Sequence, residues 1–244
     1  MKAIIPCAGY ATRLYPLTLN QPKALLEVQN QPILHYIIKK IEALGCVDTI
    51  YIVTNEKFSS HFDLWADGYD SSIPLKVLND GTMSNDDRLG QIGDIHYAIT
   101  QGNISDDILV IAGDNLFNFS LIPSFSHFKK SNAIVNVLYD TKDVETIKQL
   151  SQVKVGKNGR IVFFEEKPKN PITTTASIGI YYVPKRLVNM FDEYITSGKD
   201  ADKMGYFMEY AVEKEHVHGF SHEEKWFDIG RLEALEEARR DFAQ

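Results

Sequence analysis

The first half of the sequence alternates short apolar runs with longer segments in which apolar residues recur every three or four positions. Runs of the first kind have the length of buried strands, and segments of the second kind have the period of amphipathic helices. The predicted elements are strands at 3–6, 49–53, 75–78 and 108–112 and helices at 32–44, 56–65 and 91–100. This alternation predicts an α/β fold with a mostly parallel sheet covered by helices on both faces.

After residue 130 the pattern changes to strands that follow one another closely. A turn at 156–159 joins two of them into a predicted β-hairpin. The predicted elements are strands at 133–139, 152–155, 160–165 and 177–183 and helices at 184–196 and 231–242. We therefore expect a Rossmann-like first half, 1–130, and a mixed β second half, 131–244. Because no Pro/Gly/Ser-rich linker separates the halves, the sequence predicts a single domain over 1–244.

Composition limits the classes of function. The formal net charge is −7 and the pI is about 5.5, which argues against nucleic-acid binding because that usually requires a basic face. Two distant cysteines, Cys7 and Cys46, suggest no disulfide framework, so a cytoplasmic setting is expected. No apolar run approaches the roughly 20 residues of a membrane span. The opening Met1–Pro6 stretch is too short for a signal-peptide h-region.

The segment 6–18 places small residues and a cation directly after the first predicted strand. Small residues let backbone N–H groups approach a polyphosphate closely. Arg13 can bind phosphate oxygens bidentately, and Lys23 adds a compact charge. The candidate nucleotide-binding residues of this loop are Ala8, Gly9, Tyr10, Ala11 and Thr12. The alternative is a plain strand and loop with two solvated cations; neither a G-x-G-x-x-G nor a G-K-[ST] motif occurs here.

This segment resembles the opening of the nucleotidyltransferases that make nucleoside-diphosphate sugars. Their pattern is a strand, then G-G-x-G-T-R-L-x-P-L-T, then P-K; here Ala8 and Ala11 replace the first and third glycines and remain small. The matching residues are Thr12, Arg13, Leu14, Pro16, Leu17, Thr18, Pro22 and Lys23. Four later landmarks follow in the family's order, at 111–115, 166–168, 177–181 and 226–230.

The resemblance implies the nucleotide-diphospho-sugar transferase fold, with a nucleotide-binding half at 1–130 and an acceptor-binding half at 131–244. It implies Mg²⁺-dependent transfer of a nucleoside monophosphate from a nucleoside triphosphate to the phosphate of a small acceptor, with release of pyrophosphate. Arg13 and Lys23 would be the catalytic cations. The sequence ends soon after the last landmark, so we expect the short form without the β-helix domain. Homo-oligomers are frequent among relatives, and the resemblance leaves the oligomeric state open.

Two aspartates are the candidate metal ligands. Asp114 and Asp228 each follow apolar residues, and Mg²⁺ uses one or two protein carboxylates together with substrate phosphates. Asp114 would thereby also contact the nucleotide. The alternatives are a turn-forming role for Asp114 and a helix-capping role for Asp228.

The acceptor residues follow from the resemblance. Lys167 would bind the acceptor phosphate, Glu166 would contact hydroxyl groups, and Gly179 would let the acceptor approach the backbone. A surface Glu-Lys pair and a strand bulge are the alternatives. Arg231 stands where many sugar enzymes have Thr, which indicates either an anionic or unusual acceptor or simply a cation on the first turn of the last helix. The acceptor could be a sugar 1-phosphate or another small phosphorylated metabolite.

The stretch 79–94 is the candidate base-binding loop, with Asn79, Thr82, Arg88 and Gly93 as its proposed nucleotide contacts. Its Thr82-Met83-Ser84 and Arg88-Leu89 steps resemble the T-M-T-x-x-R-L segment of glucose-1-phosphate cytidylyltransferases. CTP is therefore the expected donor, with Arg88 donating to the O2/N3 edge of cytosine; UTP or dTTP is the next alternative, followed by GTP. The alternative is a solvated loop, with the base bound by backbone groups alone.

Two other classes of function were weighed. A non-catalytic regulatory subunit of the same fold would be expected to have lost Arg13, Lys23 or a metal aspartate, and all are present. A glycosyltransferase would carry a D-x-D motif after an apolar strand, but the sequence at 200–202 lacks that strand.

Overall fold

Among residues 1–242, which the computed structural model describes, nine strands form one sheet. Residues 243 and 244, the end of the predicted second half, lie outside the described residues. The strands are β1 (Lys2–Pro6), β2 (Glu27–Val28), β3 (Gln31–Pro32), β4 (Thr49–Thr54), β5 (Leu75–Asn79), β6 (Ile108–Ile111), β7 (Asn115–Phe117), β8 (Ile134–Asp140), β9 (Ser151–Val155), β10 (Ile161–Glu166), β11 (Thr175–Val183), β12 (Val217–His222) and β13 (Trp226–Asp228). The helices are α1 (Ile33–Glu42), α2 (Ser59–Gly68), α3 (Gly90–Gln101), α4 (Ile122–Ser131), α5 (Val144–Ile147), α6 (Met190–Thr196), α7 (Met204–Lys214) and α8 (Leu232–Asp241).

The sheet has the strand order β10-β9-β11-β6-β1-β4-β5, and β8 and β12 branch from β11. In the first half β1 pairs in parallel with β4 and β6, and β4 pairs in parallel with β5. In the second half β11 runs antiparallel to β6, β8 and β9. The predicted α/β fold, with a parallel first half and a mixed second half, is confirmed.

Helices cover both faces of the sheet because its central strands β1, β4 and β6 are apolar on both sides. On one face α1, α2, α4 and α8 pack into a cluster that contains Ile37, Phe62, Phe128 and Leu235. On the other face α3, α6 and α7 pack into a second cluster around Ile95, Phe191 and Phe207. Central strands buried on both faces read as continuous apolar runs, as β4 and β6 do. Among the described residues, none of the helices is both long and apolar enough to cross a bilayer.

Two helix predictions need correction. The single helix expected at 184–196 is a 3₁₀ turn at Lys185–Leu187 followed by α6, which begins only at Met190. A proline at 184 fixes the backbone in an extended conformation before the turn, so the helical segment starts late. The helices α4, α5 and α7 are not predicted from the sequence. The buried residues of α7 nevertheless have the spacing of one helical face: Met204, Phe207, Met208 and Ala211.

The topology places β1 between β4 on one side and β6 on the other. At this point the order of the strands reverses its direction across the sheet. In open α/β sheets, ligands bind outside the carboxyl ends of strands at such a position. A hydrogen bond of 3.2 Å from the Gly113 N–H to the Pro6 carbonyl joins the loops that leave β1 and β6. The fold therefore brings the predicted phosphate loop next to the predicted metal-binding turn.

Candidate active site

The loops after β1 and β6 border a cleft of about 490 Å³. Thirteen of the predicted site residues line it: Ala8, Gly9, Tyr10, Ala11, Thr12, Arg13, Lys23, Arg88, Asp114, Glu166, Lys167, Gly179 and Asp228. The lining does not include Asn79, Thr82, Gly93 or Arg231. Residues from both halves of the chain therefore meet in one cavity, as a two-substrate enzyme requires.

The phosphate loop is held closed by its own hydrogen bonds. The Ala11 carbonyl accepts from Thr18 Oγ1 at 2.8 Å and from the Leu14 N–H at 2.9 Å. Ala11 adopts a left-handed conformation with φ of 47°, and a 3₁₀ turn at Thr12–Leu14 follows. Leu14 is buried while Arg13 is exposed. The loop is thus anchored by the buried Leu14 side chain, and the preceding residue, Arg13, lines the cleft.

Tyr10 ties the phosphate loop to the base-binding loop. Its hydroxyl donates to the Thr82 carbonyl at 3.0 Å. Thr82 itself is buried, and its N–H and hydroxyl both donate to Asp80 Oδ1 at 2.8 Å. Asn79 bonds Glu56 and the Gly81 N–H rather than facing the cleft. We conclude that Asn79 and Thr82 shape the loop instead of lining the cavity.

Lys23 and Asp114 form an ion pair at the carboxyl ends of the parallel strands. Lys23 begins a 3₁₀ turn after Pro22, and its Nζ lies 2.5 Å from Asp114 Oδ2. Asp114 follows β6 through Gly113, a position where a Cβ would collide with Cys7 Sγ. Glycine at 113 therefore allows the two loops to pack closely enough for this pair to form.

Asp228 reaches the same place through a small separate sheet. Strand β13 pairs antiparallel with β7, which aligns Asp228 with Asn115. The Ile229 N–H donates to the Asp114 carbonyl at 3.4 Å, and Trp226 Nε1 donates to Asn115 Oδ1 at 2.7 Å. These contacts set the two candidate metal ligands side by side although they are far apart in the sequence.

The two aspartates repel each other. The Asp228 side chain is open to the cleft, but the surrounding protein desolvates it, and this burial together with the charge of Asp114 raises the pKa of Asp228. The charges of Lys23, Arg13 and Arg231 act in the opposite direction. Arg231 thus acts on Asp228 through its charge from outside the cleft lining.

Divalent-cation binding suits this donor set. Two adjacent carboxylates supply oxygen ligands, and a bound cation would relieve their repulsion. Among the described residues, no group of three or more His, Cys, Asp or Glu side chains is placed to hold a metal ion. Asp114 and Asp228 could therefore hold Mg²⁺ in its usual way, with substrate oxygens and water completing its coordination.

The part of the cleft formed by the second half of the chain carries a partly buried acid among cations. Glu166 ends β10, and its N–H donates to Glu209 Oε1 at 2.7 Å. Burial raises the pKa of Glu166, partly offset by the charges of Lys203 and Lys167. Burial, followed by repulsion from Lys203 and Arg13, lowers the pKa of Lys167. This cluster of cations is suited to an incoming phosphate group.

Lys203 was missed by the sequence analysis. It lies directly before α7, lines the cleft and interacts electrostatically with Glu166 and Lys167. Gly205, two residues later, is the position where a Cβ would collide with the Glu166 carboxylate. A Lys-Met-Gly step has no local pattern that marks it as functional, so only the packing of α7 against β10 reveals it.

Gly179 has a conformational reason to be glycine. Its φ is 72°, and its carbonyl accepts from the Ala112 N–H at 2.9 Å. A Cβ at this position would lie 3.0 Å from Asn115 Nδ2 and 3.1 Å from the Ala112 Cβ. The strand β11 therefore passes close to the turn that carries Asp114, and Gly179 lines the cleft.

The base-binding loop is joined to the segment before α7. Arg88 Nε donates to Asp202 Oδ1 at 2.9 Å, and Nη1 donates to the Asn85 carbonyl at 2.5 Å. The Gln91 N–H donates to the Asp202 carbonyl at 3.0 Å. Gly93 lies within α3, away from the cleft lining, where a Cβ would press on Leu89. Arg88 thus lines the cleft, but part of its guanidinium is already engaged.

The site and the fold together define a nucleotide-binding transferase of the α/β class. The sequence matches the Nucleotidyl transferase family over residues 2–244, and the chain belongs to that family.

Two curated proteins are similar to this chain over nearly all of its length. The chain is 29% identical to the bifunctional protein GlmU of Methanocaldococcus jannaschii over 98% of its length and 54% of that protein. It is also 29% identical to a protein named as a candidate mannose-1-phosphate guanyltransferase of Sulfolobus acidocaldarius, over 94% of this chain and 60% of that protein. The chain thus spans just over half the length of these relatives.

A solved structure shares the fold. A candidate glucose-1-phosphate thymidylyltransferase from Bacillus anthracis, crystallised with sucrose, superimposes with a TM-score of 0.84. The match covers 100% of this chain and 97% of that one at 22% sequence identity. The architecture is therefore that of sugar-nucleotide transferases.

Proposed function

We propose that the protein transfers a nucleoside monophosphate, preferentially CMP, from a nucleoside triphosphate to the phosphate of a small acceptor and releases pyrophosphate, with Mg²⁺ as cofactor. The observation that carries this proposal is the meeting of Asp114 and Asp228 beside Lys23 and Arg13 in a cleft lined by both halves of the chain. Nucleotidyl transfer needs this arrangement because catalysis of phosphoryl-group chemistry is mainly positioning and charge neutralisation.

Each residue then has a defined task. Arg13 and Lys23 hold the phosphates of the donor and offset charge on the departing pyrophosphate. Lys167 and Lys203 hold the acceptor phosphate, so its oxygen lies in line with the α-phosphate. Mg²⁺, when bound by Asp114 and Asp228, would neutralise charge on the same phosphates. No general base is required, because a phosphate oxygen of the acceptor is already an anionic nucleophile.

The preference for CTP is supported by the base-binding loop. Its Thr82-Met83-Ser84 and Arg88-Leu89 steps resemble those of glucose-1-phosphate cytidylyltransferases, and Arg88 lines the cleft. Among the described residues, Arg88 Nη2 has no hydrogen-bond partner, so it can donate to a pyrimidine carbonyl. The fixed ion pair with Asp202 would orient the guanidinium for this contact.

The acceptor is proposed as a sugar 1-phosphate or a related small phosphorylated metabolite. The names of the relatives, which include a mannose-1-phosphate guanyltransferase, favour the sugar. Arg231 lies outside the cleft lining and so gives no support to an additional anionic group on the acceptor.

The test is a coupled pyrophosphate-release assay with the four ribonucleoside triphosphates and dTTP against a panel of phosphorylated acceptors, with product masses measured. We expect turnover that is abolished by a chelator and restored by Mg²⁺. CTP should have the highest kcat/KM by about tenfold or more. Absence of turnover with every pair would refute the enzyme and favour a regulatory subunit.

Arg88→Ala tests the base contact. The variant should lose most of the preference for CTP while keeping turnover. Asp202→Asn is the comparison variant: it keeps the guanidinium but removes the charge that orients it, so it should weaken the preference for CTP less than Arg88→Ala does. An unchanged base preference in Arg88→Ala would show that the loop does not select the base through this side chain.

A further inference from the structure

A pair of carboxyl groups lies in the wall of the cleft, apart from the metal-binding aspartates. Asp80 follows β5, and Asp94 lies in the second turn of α3, where it is only 5% exposed. Asp80 Oδ2 and Asp94 Oδ1 are both inaccessible to solvent, and no N–H or O–H group among residues 1–242 donates to either. Asp80 is the neighbour whose charge and side chain raise the pKa of Asp94, so a proton held by one carboxyl group and shared with the other would satisfy both oxygens.

The proton belongs to Asp94. Asp80 Oδ1 accepts two hydrogen bonds from Thr82. Asp94 receives no such donors, and burial followed by the charge of Asp80 raises the pKa of Asp94 to about 8. Asp94 is therefore the member of the pair that holds a proton at neutral pH.

Asp94 lines the cleft on the side where the nucleoside must lie. The same cleft is lined by Cys7 and Ala8 after β1 and by Gly90 and Gln91 at the start of α3. Asp94 Oδ1 is inaccessible to solvent and Asp94 lines the cleft, so Oδ2 is the oxygen that a ligand in the cleft can reach. With the proton on the other oxygen, Oδ2 is an uncharged acceptor, which avoids repulsion of a nearby triphosphate.

We propose that Asp94 is a specificity-determining residue whose uncharged carboxyl group, held by Asp80, accepts a hydrogen bond from an N–H or O–H group of the nucleoside. This inference rests on the proposed nucleotidyltransferase function. The donor is either the exocyclic amino group of the base or a ribose hydroxyl group. A nucleoside without that donor leaves a desolvated acceptor unpaired, which is a strong basis for rejection.

The other titratable groups around the pair keep their charge states near neutral pH. Burial raises the pKa of the Cys7 thiol and of the Tyr10 hydroxyl, so both stay protonated. Hydrogen bonds from the backbone lower the pKa of Asp87, which stays ionised. Asp94 is thus the group in this wall whose charge changes near pH 8, and its ionisation would place two adjacent negative charges beneath the nucleoside.

The decisive comparison is between Asp94→Asn and Asp94→Ala. An asparagine amide can donate to Asp80 and turn its carbonyl to the cleft, so it imitates the protonated acid permanently. We expect Asp94→Asn to keep the KM for the nucleoside triphosphate within about twofold and to lose the fall in activity above pH about 8. Asp94→Ala should raise that KM about tenfold or more while the acceptor KM changes little.

Nucleotide analogues identify the donor. If the base amino group donates, Asp94→Ala will impair CTP more than UTP. If a ribose hydroxyl donates, CTP and UTP will be impaired equally. The KM for a deoxynucleotide will then be the same in the wild-type protein and in Asp94→Ala. Asp67→Asn, an exposed acid on α2, is the matched control and should leave every parameter unchanged.

The inference is overturned if Asp94→Asn is as impaired as Asp94→Ala, since an ionised carboxylate would then be required. It is also overturned if Asp94→Ala keeps the wild-type KM for all nucleotides. Calorimetric titration with CTP separates this outcome from failure of the proposed function. If CTP binding depends on Asp94 but no turnover is found, only the proposed enzymatic function is refuted. If turnover is unaffected by substitution of Asp94, only this inference is refuted.

Discussion

Replacing Asp228 by asparagine is expected to stabilise the metal-free protein while abolishing turnover. Asp228 is held beside Asp114 in a partly desolvated position, and both effects raise the pKa of Asp228. Its side chain makes no hydrogen bond within residues 1–242, so asparagine removes the charge without removing a contact. Catalytic residues are often retained at the expense of stability for this reason.

The expected gain in the free energy of unfolding follows from the raised pKa of Asp228. One pKa unit corresponds to about 1.4 kcal/mol, but solvent in the open cleft screens the charge, so we expect a gain of about 1 kcal/mol in the free energy of unfolding. For a domain of this size that corresponds to about 2–4 °C in Tm. Because the folded-state pKa is raised, the ionised carboxylate destabilises the protein above that pKa. The gain should therefore be full at pH about 8 and vanish as the pH falls to about 4.

Thermal unfolding followed by circular dichroism, with and without a chelator, measures this effect. The Asp228→Asn variant should have the higher Tm in chelator, and Mg²⁺ should stabilise the wild-type protein more than the variant. Asp67→Asn, which removes an exposed charge on α2, is the control and should leave Tm unchanged. An equal or lower Tm for Asp228→Asn at pH about 8 would refute the electrostatic reasoning.

Three further changes have definite expected outcomes. Asp114→Asn should abolish turnover while the circular dichroism spectrum stays that of the folded protein; near-normal rates would exclude Asp114 as a metal ligand. Gly179→Ala places a side chain at φ of 72°, 3.0 Å from Asn115 Nδ2, and should cost about 1–2 kcal/mol of stability and raise the acceptor KM. A wild-type Tm and KM would show that β11 can move aside. Lys203→Ala should raise the acceptor KM about tenfold with a smaller change in kcat, and Lys203→Arg should restore it; an effect on the nucleotide KM alone would place Lys203 on the donor side.

Several parts of this molecule could be predicted from the sequence because they depend on local order. The apolar runs of β1, β4 and β6 are continuous because both faces of a parallel sheet are buried, and the pattern is visible without a structure. The phosphate loop is equally local, since its small residues and Arg13 lie within one short segment. The helix α7 also has a local signal, the spacing of its apolar residues. It could therefore have been predicted from the sequence, although it was not.

The tertiary structure decided which distant residues meet. The Lys23–Asp114 pair spans 91 positions and the Arg88–Asp202 pair spans 114, and no periodicity encodes contacts at such separations. Packing also removed Asn79, Thr82 and Gly93 from the cleft lining and gave them roles in shaping the loop and helix.

The carboxyl pair shows the physical reason for this division. In the sequence, Asp80 and Asp94 are two acids among many, because residue identity specifies what a side chain can do in water. In the folded protein, burial and the neighbouring Asp80 raise the pKa of Asp94, so that its carboxyl group is uncharged. Both causes depend on tertiary packing. The sequence by itself determined the class of fold and the phosphate loop, whereas the charge states and partners within the cleft were decided by tertiary packing.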